Sequence, residues 1–379
     1  MRYVLSTQDN APTGLSKIFY LHWAMILLVI AVSATGFMML YSVAGGSYDP
    51  WARTQMIKFS VGIVGMFIIA FIHIRVWRRI APLAYVGTLI LLIAVYFVGE
   101  TGMGAQRWLN LGVFQLQPSE VMKVALILAL AMYYDWLEPE LISRPVWVFI
   151  PIILTLVPMG LVLIQPDLGT ALLLAGGAGV VMFLAGVSLW YFAVAITSGA
   201  GLITAVLMSR GTEWQLLKDY QYGRIDTFIN PALDPLGAGY HITQSKIALG
   251  SGGFSGRGFM QGPQSRLNFL PEKQTDFIFT TFAEEFGFIG SVSLLVIYTA
   301  IVMFCIISAI NNKDRFGALV TGGLGATFFF FFAVNMSMVM GLLPVVGVPL
   351  PLVSHGGTAM IVLLGAFGLI QSAHIHKPR

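Results

Sequence analysis

The chain has 379 residues, of which 57% are hydrophobic and 10% are charged, whereas a soluble domain has about 25% charged residues. This composition excludes a water-soluble globular protein and indicates an integral membrane protein. The formal net charge of +4 is too small to argue for nucleic-acid binding, and the single cysteine, Cys305, excludes an intramolecular disulfide.

Apolar stretches of membrane-spanning length recur along the chain and predict ten transmembrane helices. They cover residues 19–41, 56–74, 80–98, 119–134, 146–164, 168–187, 189–209, 277–309, 316–340 and 356–374. The stretch 277–309 is too long for one straight span, so we expect its first turns to tilt or to lie at the membrane surface. Residues 1–18 form a polar lead, and we expect the first apolar run to be a retained anchor because it is longer than a signal-peptide core.

The predicted fold class is therefore an all-α integral membrane protein in which residues 1–379 form a single polytopic domain. A large outward-facing loop, residues 210–275, separates predicted helices 7 and 8. Basic residues in the short loops indicate the orientation. Those that share one side of a ten-span chain are Arg2, Lys17, Arg75, Arg78, Arg79, Arg144, Lys313, Arg315, Lys377 and Arg379. The opposite short loops hold chiefly Arg53 and Arg107, so we expect both termini in the cytoplasm.

The long outer loop has features of a folded segment. Apolar residues from Trp214 to Ile229 have roughly helical spacing and predict an amphipathic helix on the membrane. Residues 240–249 are a second helical candidate. Five glycines lie between Gly250 and Gly258. They could present main-chain N–H groups to an anion or simply make the loop flexible, and both interpretations stay open.

The outer loop ends in the stretch from Asn268 to Gly287, which delivers a carboxylate, Asp276, to the start of a hydrophobic helix. A carboxylate at the boundary between water and membrane, beside a basic and glycine-rich loop, is a candidate for chemistry. Glu284 and Glu285 follow deeper in the same helix, where we expect ion pairs with neighbouring helices.

A second polar cluster runs from Ala105 to Lys123. Pro118 suits the first turn of a helix, and Glu120 lies where the helix dipole favours an anion. Lys123 is three residues further on the same face, within pairing distance of Glu120. Charged residues inside a membrane usually face a cavity and indicate a site, although a structural ion pair or a lysine that reaches to the surface is the alternative.

Two other polar stretches have simpler interpretations. In the stretch QPDLGT, Pro166 ends one helix and Asp167 caps the next, which is a structural role. Residues 341–358 contain three prolines and predict a broken, re-entrant segment that walls a cavity open to the outside. The sequence shows no metal-ligand spacing such as CxxC or HxxxH.

These residues resemble the SEDS family, the shape, elongation, division and sporulation proteins. The matching stretches are GAQRWLNLG with QPSEVMK, QPDLGT, QSKIALGSGGFSGRG, FLPEKQTDFIFTTFAEEFGFIG and GLLPVVGVPLPLVSHGGT. The first and last favour the rod-shape members of the family over the division members. Leu352, His355 and Thr358 depart from the usual family pattern in the last stretch.

The resemblance implies a membrane enzyme that polymerises lipid II into glycan strands on the outer face of the bacterial cytoplasmic (inner) membrane. The growing lipid-linked strand is the donor, the 4-hydroxyl of the incoming lipid II sugar is the acceptor, and the anomeric carbon inverts. The implied partner is a class B penicillin-binding protein, a PBP2-type transpeptidase, in the elongation complex. The resemblance places the required outer-loop aspartate at Asp276, as general base. It also matches Glu120 and Lys123 to the pair of residues on helix 4 that the family uses in its central cavity.

The departing pyrophosphate needs a positive charge to stabilise it. The candidate cations are Lys123, Arg107, Arg224, Lys246, Arg257 and Arg266. A divalent cation, Mg²⁺ or Mn²⁺, could also take that charge. Two other classes of function compete with the enzyme: a lipid II flippase, which needs cavity charges but no outer carboxylate, and a non-catalytic scaffold, in which Asp276 is replaceable.

Overall fold

The computed structural model describes residues 14–378 apart from 103–104, 111, 113–114, 217–218, 235–236, 268 and 270–271, and only the backbone of a few others, Arg224 among them. The α-helices are α1 Trp23–Val43, α2 Ala52–Phe71, α3 Ile74–Val98, α4 Pro118–Trp136, α5 Pro145–Ile164, α6 Leu168–Ala185, α7 Leu189–Met208, α8 Asp219–Ile229, α9 Ala238–Ser251, α10 Pro263–Arg266, α11 Ile278–Ile310, α12 Arg315–Val339 and α13 Ala359–Ile375. Short 3₁₀ helices cover Gly14–Tyr20, Pro139–Leu141 and Pro231–Leu233.

The predicted helical spans are confirmed as helices. Within the part of the chain that the structure describes, eight helices are long and apolar enough to cross a membrane: α1, α2, α3, α5, α6, α7, α11 and α12. The remaining two predicted spans correspond to α4, which carries Glu120, Lys123 and Asp135, and to α13, a shorter apolar helix. Their boundaries lie within a few residues of the predicted ones.

The loops with most of the basic residues meet on one face of the bundle. Arg78 at the start of α3 pairs with Asp135 at the end of α4. The guanidinium of Arg315 donates to the carbonyl of Leu137 at 3.0 Å. Lys17 donates to the carbonyl of Phe71 at the end of α2, at 2.8 Å. The two ends of the described chain therefore share this face with the turns after α2, α4 and α11.

The helices approach closely where glycine removes a side chain. A Cβ at Gly368 of α13 would lie 2.7 Å from the Met66 carbonyl oxygen of α2, and one at Gly62 would lie 2.5 Å from Leu364. Small residues at helix contacts in membranes allow such packing. By contrast, α7 has no fully buried residue, and it packs on the bundle mainly near its start, through Tyr191 and Phe192.

A small antiparallel sheet between α3 and α4 was not predicted. It consists of β1 Glu100–Gly102, β2 Ala105–Asn110 and β3 Gln115–Leu116, in the order β1-β2-β3. Glu100 is the register partner of Trp108, and Leu109 that of Leu116. Strands this short have little periodicity of their own, and their pairing depends on the two helices that bring their ends together.

Helix α11 is interrupted at Gly287, where φ is 63° and ψ is −159°. The kink at Gly287 therefore divides the predicted span 277–309 into a short first helix and a longer second one. Every side chain from Ile278 to Glu285 is buried, so the first turns of α11 pack against the rest of the chain. The expectation that these turns tilt or lie at the membrane surface stays a prediction. The backbone angles of Gly287 lie in a region that is accessible essentially to glycine alone.

The glycine-rich loop after α9 packs into that kink. The N–H groups of Arg257 and Gly258 donate to the carbonyls of Glu284 and Glu285, at 2.9 and 3.0 Å. A Cβ at Gly256 would lie 2.1 Å from the Glu285 carbonyl oxygen. The glycines permit backbone contact with α11, and the N–H groups of Arg257 and Gly258 are occupied by that contact. Anion binding by the loop and its flexibility both stay predictions.

Replacing Gly287 with alanine is expected to destabilise the protein by on the order of 2 kcal/mol or more. The new Cβ would lie 2.3 Å from the backbone nitrogen of Gly256, in a conformation that alanine disfavours. Thermal melting of the purified protein in detergent would measure the change. Gly65→Ala in α2 is the matched control, because nothing lies within 4 Å of its Cβ position and alanine favours helix. Equal melting temperatures for the two variants would contradict the prediction.

Other predictions for the outer loop are partly confirmed. The first helix, α8, begins at Asp219, so Trp214 and Leu216 precede it. The second, α9, covers the predicted residues 240–249. Glu284 accepts hydrogen bonds from the Gln264 N–H at 3.0 Å and the Ser251 hydroxyl at 3.4 Å.

Glu285 accepts a hydrogen bond from the Ser42 hydroxyl of α1. The contacts described for Glu284 and Glu285 are thus hydrogen bonds to the outer loop and to α1, where ion pairs with neighbouring helices were expected.

Candidate active site

Asp276 lies in the turn formed by residues 272–277, immediately before α11. The irregular segment 341–358, which we call the proline-rich wall, lies against it. The backbone of Gly347 in this wall is so close that a Cβ there would be 3.8 Å from an Asp276 carboxylate oxygen. Gly347 has a φ of 72°, which favours glycine. The wall is irregular as predicted, and it confines one side of the carboxylate.

The wall is held by α2 and by the sheet region. The side-chain amide of Gln55 in α2 donates to the carbonyl of Ser354 at 2.9 Å, and its oxygen accepts from the Gly356 N–H at 3.3 Å. The Gln117 N–H donates to the Thr358 hydroxyl at 3.2 Å. The Trp108 ring of β2 lies against Gly357. Segments far apart in sequence therefore form one border of the site.

Arg107 on β2 is fixed at the start of α6. Its guanidinium donates to the carbonyl of Gln165 at 3.0 Å and to that of Pro166, and it lies 3.9 Å from the Asp167 carboxylate. Asp167 caps α6 as predicted, accepting from the Thr170 N–H at 3.1 Å. Because Asp167 also faces Arg107, it belongs to the site as well as to the helix end.

Glu120 and Lys123 form the predicted pair, with 2.7 Å between the ammonium nitrogen and a carboxylate oxygen. Their side chains are 6% and 4% exposed, so the pair lies inside the helix bundle. The Lys123 ammonium also lies 3.8 Å from the centroid of the Phe331 ring, in cation–π contact. Lys123 does not reach to the surface, and it lies within electrostatic range of Asp167.

Burial raises the pKa of the Asp276 carboxyl to about 6. The charge of Glu272 raises this pKa further, Arg107 lowers it and Asp167 raises it. These interactions place Arg107, Asp167, Glu272 and Asp276 in one electrostatic cluster. A carboxylate with a pKa near neutrality can accept a proton and is still mostly ionised at pH 7.

Other predicted cations lie apart from this cluster. Arg257 and Arg266 are exposed in the outer loop, and the side chain of Arg224 in α8 lies outside what the structure describes. Lys246 of α9 is exposed and lies over Gly341, at the start of the proline-rich wall. Among the described residues, no contact joins the side chains of Arg257, Arg266 and Lys246 to Asp276.

Sequence reasoning missed several polar residues around Asp276. Gln55 and Asn335 are 1% and 0% exposed within apolar helices, and Ser354 is 3% exposed in the wall. A polar side chain inside a membrane helix is a signal in itself, because it needs a partner there.

The described residues include no group of three histidine, cysteine or carboxylate side chains that could hold a metal ion. The described carboxylates whose charges act on Asp276 are those of Glu272 and Asp167. The cation of Arg107, which would repel a metal ion, acts on Asp276 as well. A metal held by the protein alone does not fit these side chains. Mg²⁺ is often bound by one or two carboxylates together with substrate phosphates, so a divalent cation would have to share substrate oxygens.

Residues 15–379 match the family model FtsW/RodA/SpoVE, described as cell cycle protein. The chain is 40% identical to the peptidoglycan glycosyltransferase MrdB of Escherichia coli strain K12, over 98% of both chains. It superposes with a TM-score of 0.71 on the crystal structure of the rod shape determining protein RodA of Thermus thermophilus, at 28% identity, covering 95% of this chain and 98% of that one. A chain from a peptidoglycan synthase complex that coordinates polymerization and crosslinking gives a TM-score of 0.80 at 32% identity, covering 93% and 97%.

Proposed function

The chain belongs to the FtsW/RodA/SpoVE family, and we propose that it polymerises lipid II during rod-shape elongation with Asp276 as the general base. It is a membrane peptidoglycan glycosyltransferase, as its similarity to MrdB over nearly its whole length indicates. The observation that carries the assignment of the base is the half-buried carboxylate of Asp276 against the proline-rich wall, with a pKa of about 6 and within electrostatic range of Arg107.

The chemistry requires one proton acceptor and one displaced pyrophosphate. The Asp276 carboxylate takes the proton of the acceptor 4-hydroxyl, and the oxygen attacks the anomeric carbon of the lipid-linked donor strand. The bond from that carbon to the pyrophosphate oxygen breaks with its electron pair, so the new glycosidic bond forms with inversion. A positioned base of this kind contributes typically 10²- to 10⁴-fold to the rate.

The departing pyrophosphate is stabilised by Arg107 and Lys123. Both are held before substrate arrives, Arg107 by the carbonyls at the start of α6 and Lys123 by Glu120. Preorganised charges stabilise a developing anion without further rearrangement. Lys246, Arg257, Arg266 and Arg224 act as outer cations that attract the lipid head group. Participation of Mg²⁺ or Mn²⁺ stays a prediction, which chelation with EDTA followed by metal addition tests.

The protein lies in the bacterial cytoplasmic (inner) membrane with both termini inside and Asp276 outside. The support is the face shared by Lys17, Arg78 and Arg315, because basic loops stay in the cytoplasm. Its partner is a PBP2-type class B penicillin-binding protein in the elongation complex. The similarity to a chain of a synthase complex that couples polymerization to crosslinking supports this partner.

The test is polymerisation of fluorescent lipid II by the purified protein in liposomes, together with a partner whose transpeptidase is inactivated. We expect glycan strands in the presence of both proteins and none without this chain. Movement of lipid II across the bilayer with no polymer would support the flippase instead. Restoration of growth by an Asp276 variant that makes no polymer would support the scaffold. Rescue of cells depleted of the division member FtsW, and not of rod-shape mutants, would assign the chain to division.

The pH dependence of polymerisation is expected to follow Asp276. The base acts only when deprotonated, so kcat/KM falls as the pH drops through about 6. Glu272→Gln removes a negative charge that raises the pKa of Asp276, so this variant should keep activity to lower pH. Initial rates at lipid II concentrations well below KM, between pH 4.5 and 8, would show both acid limbs. An acid limb that is the same in both proteins would contradict the assignment.

A further inference from the structure

The turn that carries Asp276 is bound at three successive main-chain carbonyls by groups outside the turn. The acceptors are the carbonyl oxygens of Gln274, Thr275 and Asp276. The donors are the His355 N–H, the Ser354 hydroxyl and the Asn335 side-chain amide, at 2.8, 2.6 and 2.9 Å respectively. The first two belong to the proline-rich wall and the third to α12. The backbone position of Asp276 is therefore set by two other segments of the chain.

Asn335 makes a second bond with the same amide nitrogen. It donates to the carbonyl of Val348 in the wall at 2.7 Å. The residue lies in the last two turns of α12, and none of its surface is exposed. One side chain thus joins three segments: α12, the wall and the turn of Asp276.

Asparagine suits this contact because its NH₂ group has two hydrogens to donate. An ionised aspartate donates none, and leucine, of similar size, donates none. The orientation of the amide follows from its two carbonyl partners. The other end of the amide, Oδ1, is buried and has no hydrogen-bond partner in the described part of the chain. A buried polar group costs free energy unless it is hydrogen-bonded, so the two donated bonds are the evident reason for an asparagine here.

We propose that Asn335 is a positioning residue for the glycosyl transfer, holding the Asp276 main chain against the wall so that the carboxylate is aimed at the acceptor hydroxyl. This inference rests on the proposed role of Asp276 as the base. The bonds described for Asn335 go to main-chain carbonyls and not to the Asp276 carboxylate. Misplacement of a reacting group by about 1 Å can cost about 10²-fold in rate, so a bond that fixes Asp276 has a kinetic effect.

The test is Asn335→Leu in the liposome assay. We expect kcat to fall about 10- to 100-fold while KM for lipid II stays near native, because the substrate-binding cations are unchanged. We also expect the acid limb of the rate profile to move to lower pH, because a released Asp276 is better solvated. Glu272, Arg107 and Asp167, the charged groups that act on Asp276, are the same in both proteins.

Two further variants separate positioning from a general loss of folding. Ser354→Ala removes the bond to the Thr275 carbonyl and should lower kcat by a smaller factor with the same shift of the acid limb. Thr327→Val is the matched control on α12, because the bond described for this buried hydroxyl goes to the Gly323 carbonyl of its own helix, at 2.9 Å. It should keep native kinetics. Melting temperature and capture of the penicillin-binding partner report folding in every variant.

The proposal is overturned if Asn335→Leu keeps native kcat. It is also overturned if the loss of activity only follows the loss of folded protein, so that kcat per folded enzyme and the acid limb are both native. Failure of the proposed function looks different: native polymer formation by Asp276→Asn would remove the base assignment whatever Asn335 does.

Discussion

Replacing Asp276 with asparagine is expected to reduce lipid II polymerisation by about 10²- to 10⁴-fold, the usual contribution of a positioned general base. Asparagine keeps the shape of the side chain but cannot accept the proton of the acceptor hydroxyl. The backbone bond from Asn335 to residue 276 involves the main-chain carbonyl and is unaffected by the substitution. Single-turnover polymerisation with the penicillin-binding partner present would measure the loss, and lipid II binding should be retained.

The same variant should not melt at a lower temperature than the native protein. The pKa of Asp276 is about 6 in the folded state against about 3.9 for an unfolded aspartate. The folded state then binds more protons than the unfolded state between these values, so stability falls as pH rises through that window. Above pH 6 the buried charge costs about 1–3 kcal/mol, which asparagine avoids.

Asp49→Asn is the matched control for this experiment. Asp49 is an exposed carboxylate between α1 and α2, 3.9 Å from Arg53, and it has no contact with the wall among the described bonds. It should polymerise lipid II at the native rate. An Asp276→Asn protein that makes native amounts of polymer would disprove the base assignment. An Asp276→Asn protein that melts at a lower temperature than the native one would contradict the prediction on stability.

Replacing Lys123 with methionine is expected to destabilise the protein by about 3–5 kcal/mol. The substitution leaves the Glu120 carboxylate buried without its partner, and Glu120 Oε2 already has no hydrogen bond among the described residues. Methionine keeps the contact with Phe331 and most of the volume. Thermal melting in detergent and the yield of monodisperse protein would measure the effect.

The double variant Glu120→Gln with Lys123→Met separates stability from function. Removal of both charges should recover most of the melting temperature, because an apolar or neutral pair of similar volume often replaces a buried ion pair without loss. Polymerisation should remain low, because the cation for the pyrophosphate is missing. Full activity in the stable double variant would show that the pair is structural.

An exposed ion pair provides the comparison. Arg53→Met removes the partner of Asp49 at the surface, where both side chains are about two-thirds exposed or more. Such a pair contributes about 0–1 kcal/mol, so the melting temperature should hardly move. A similar loss for Arg53→Met and Lys123→Met would contradict the argument from burial.

Local features of this protein could be predicted from the sequence. The ten predicted helical spans follow from hydropathy, because the membrane interior demands about 20 apolar residues for each span. The pair of Glu120 and Lys123 and the cap of α6 by Asp167 follow from spacings of three residues within one helix. The importance of Asp276 came from a family resemblance carried by the residues around it.

The tertiary structure alone decided what surrounds Asp276. Asn335 is 59 residues away in the chain, and the Ser354 hydroxyl reaches Thr275 across 79 residues. The glycines from Gly250 to Gly258 were open to anion binding or to flexibility on the sequence alone, and their contact with the kink at Gly287 became evident only in the folded chain. The physical reason is the distance along the chain over which each effect acts. Hydropathy and helix capping depend on residues that are neighbours in the sequence, whereas the burial that raises the pKa of Asp276 arises from distant segments brought together by packing.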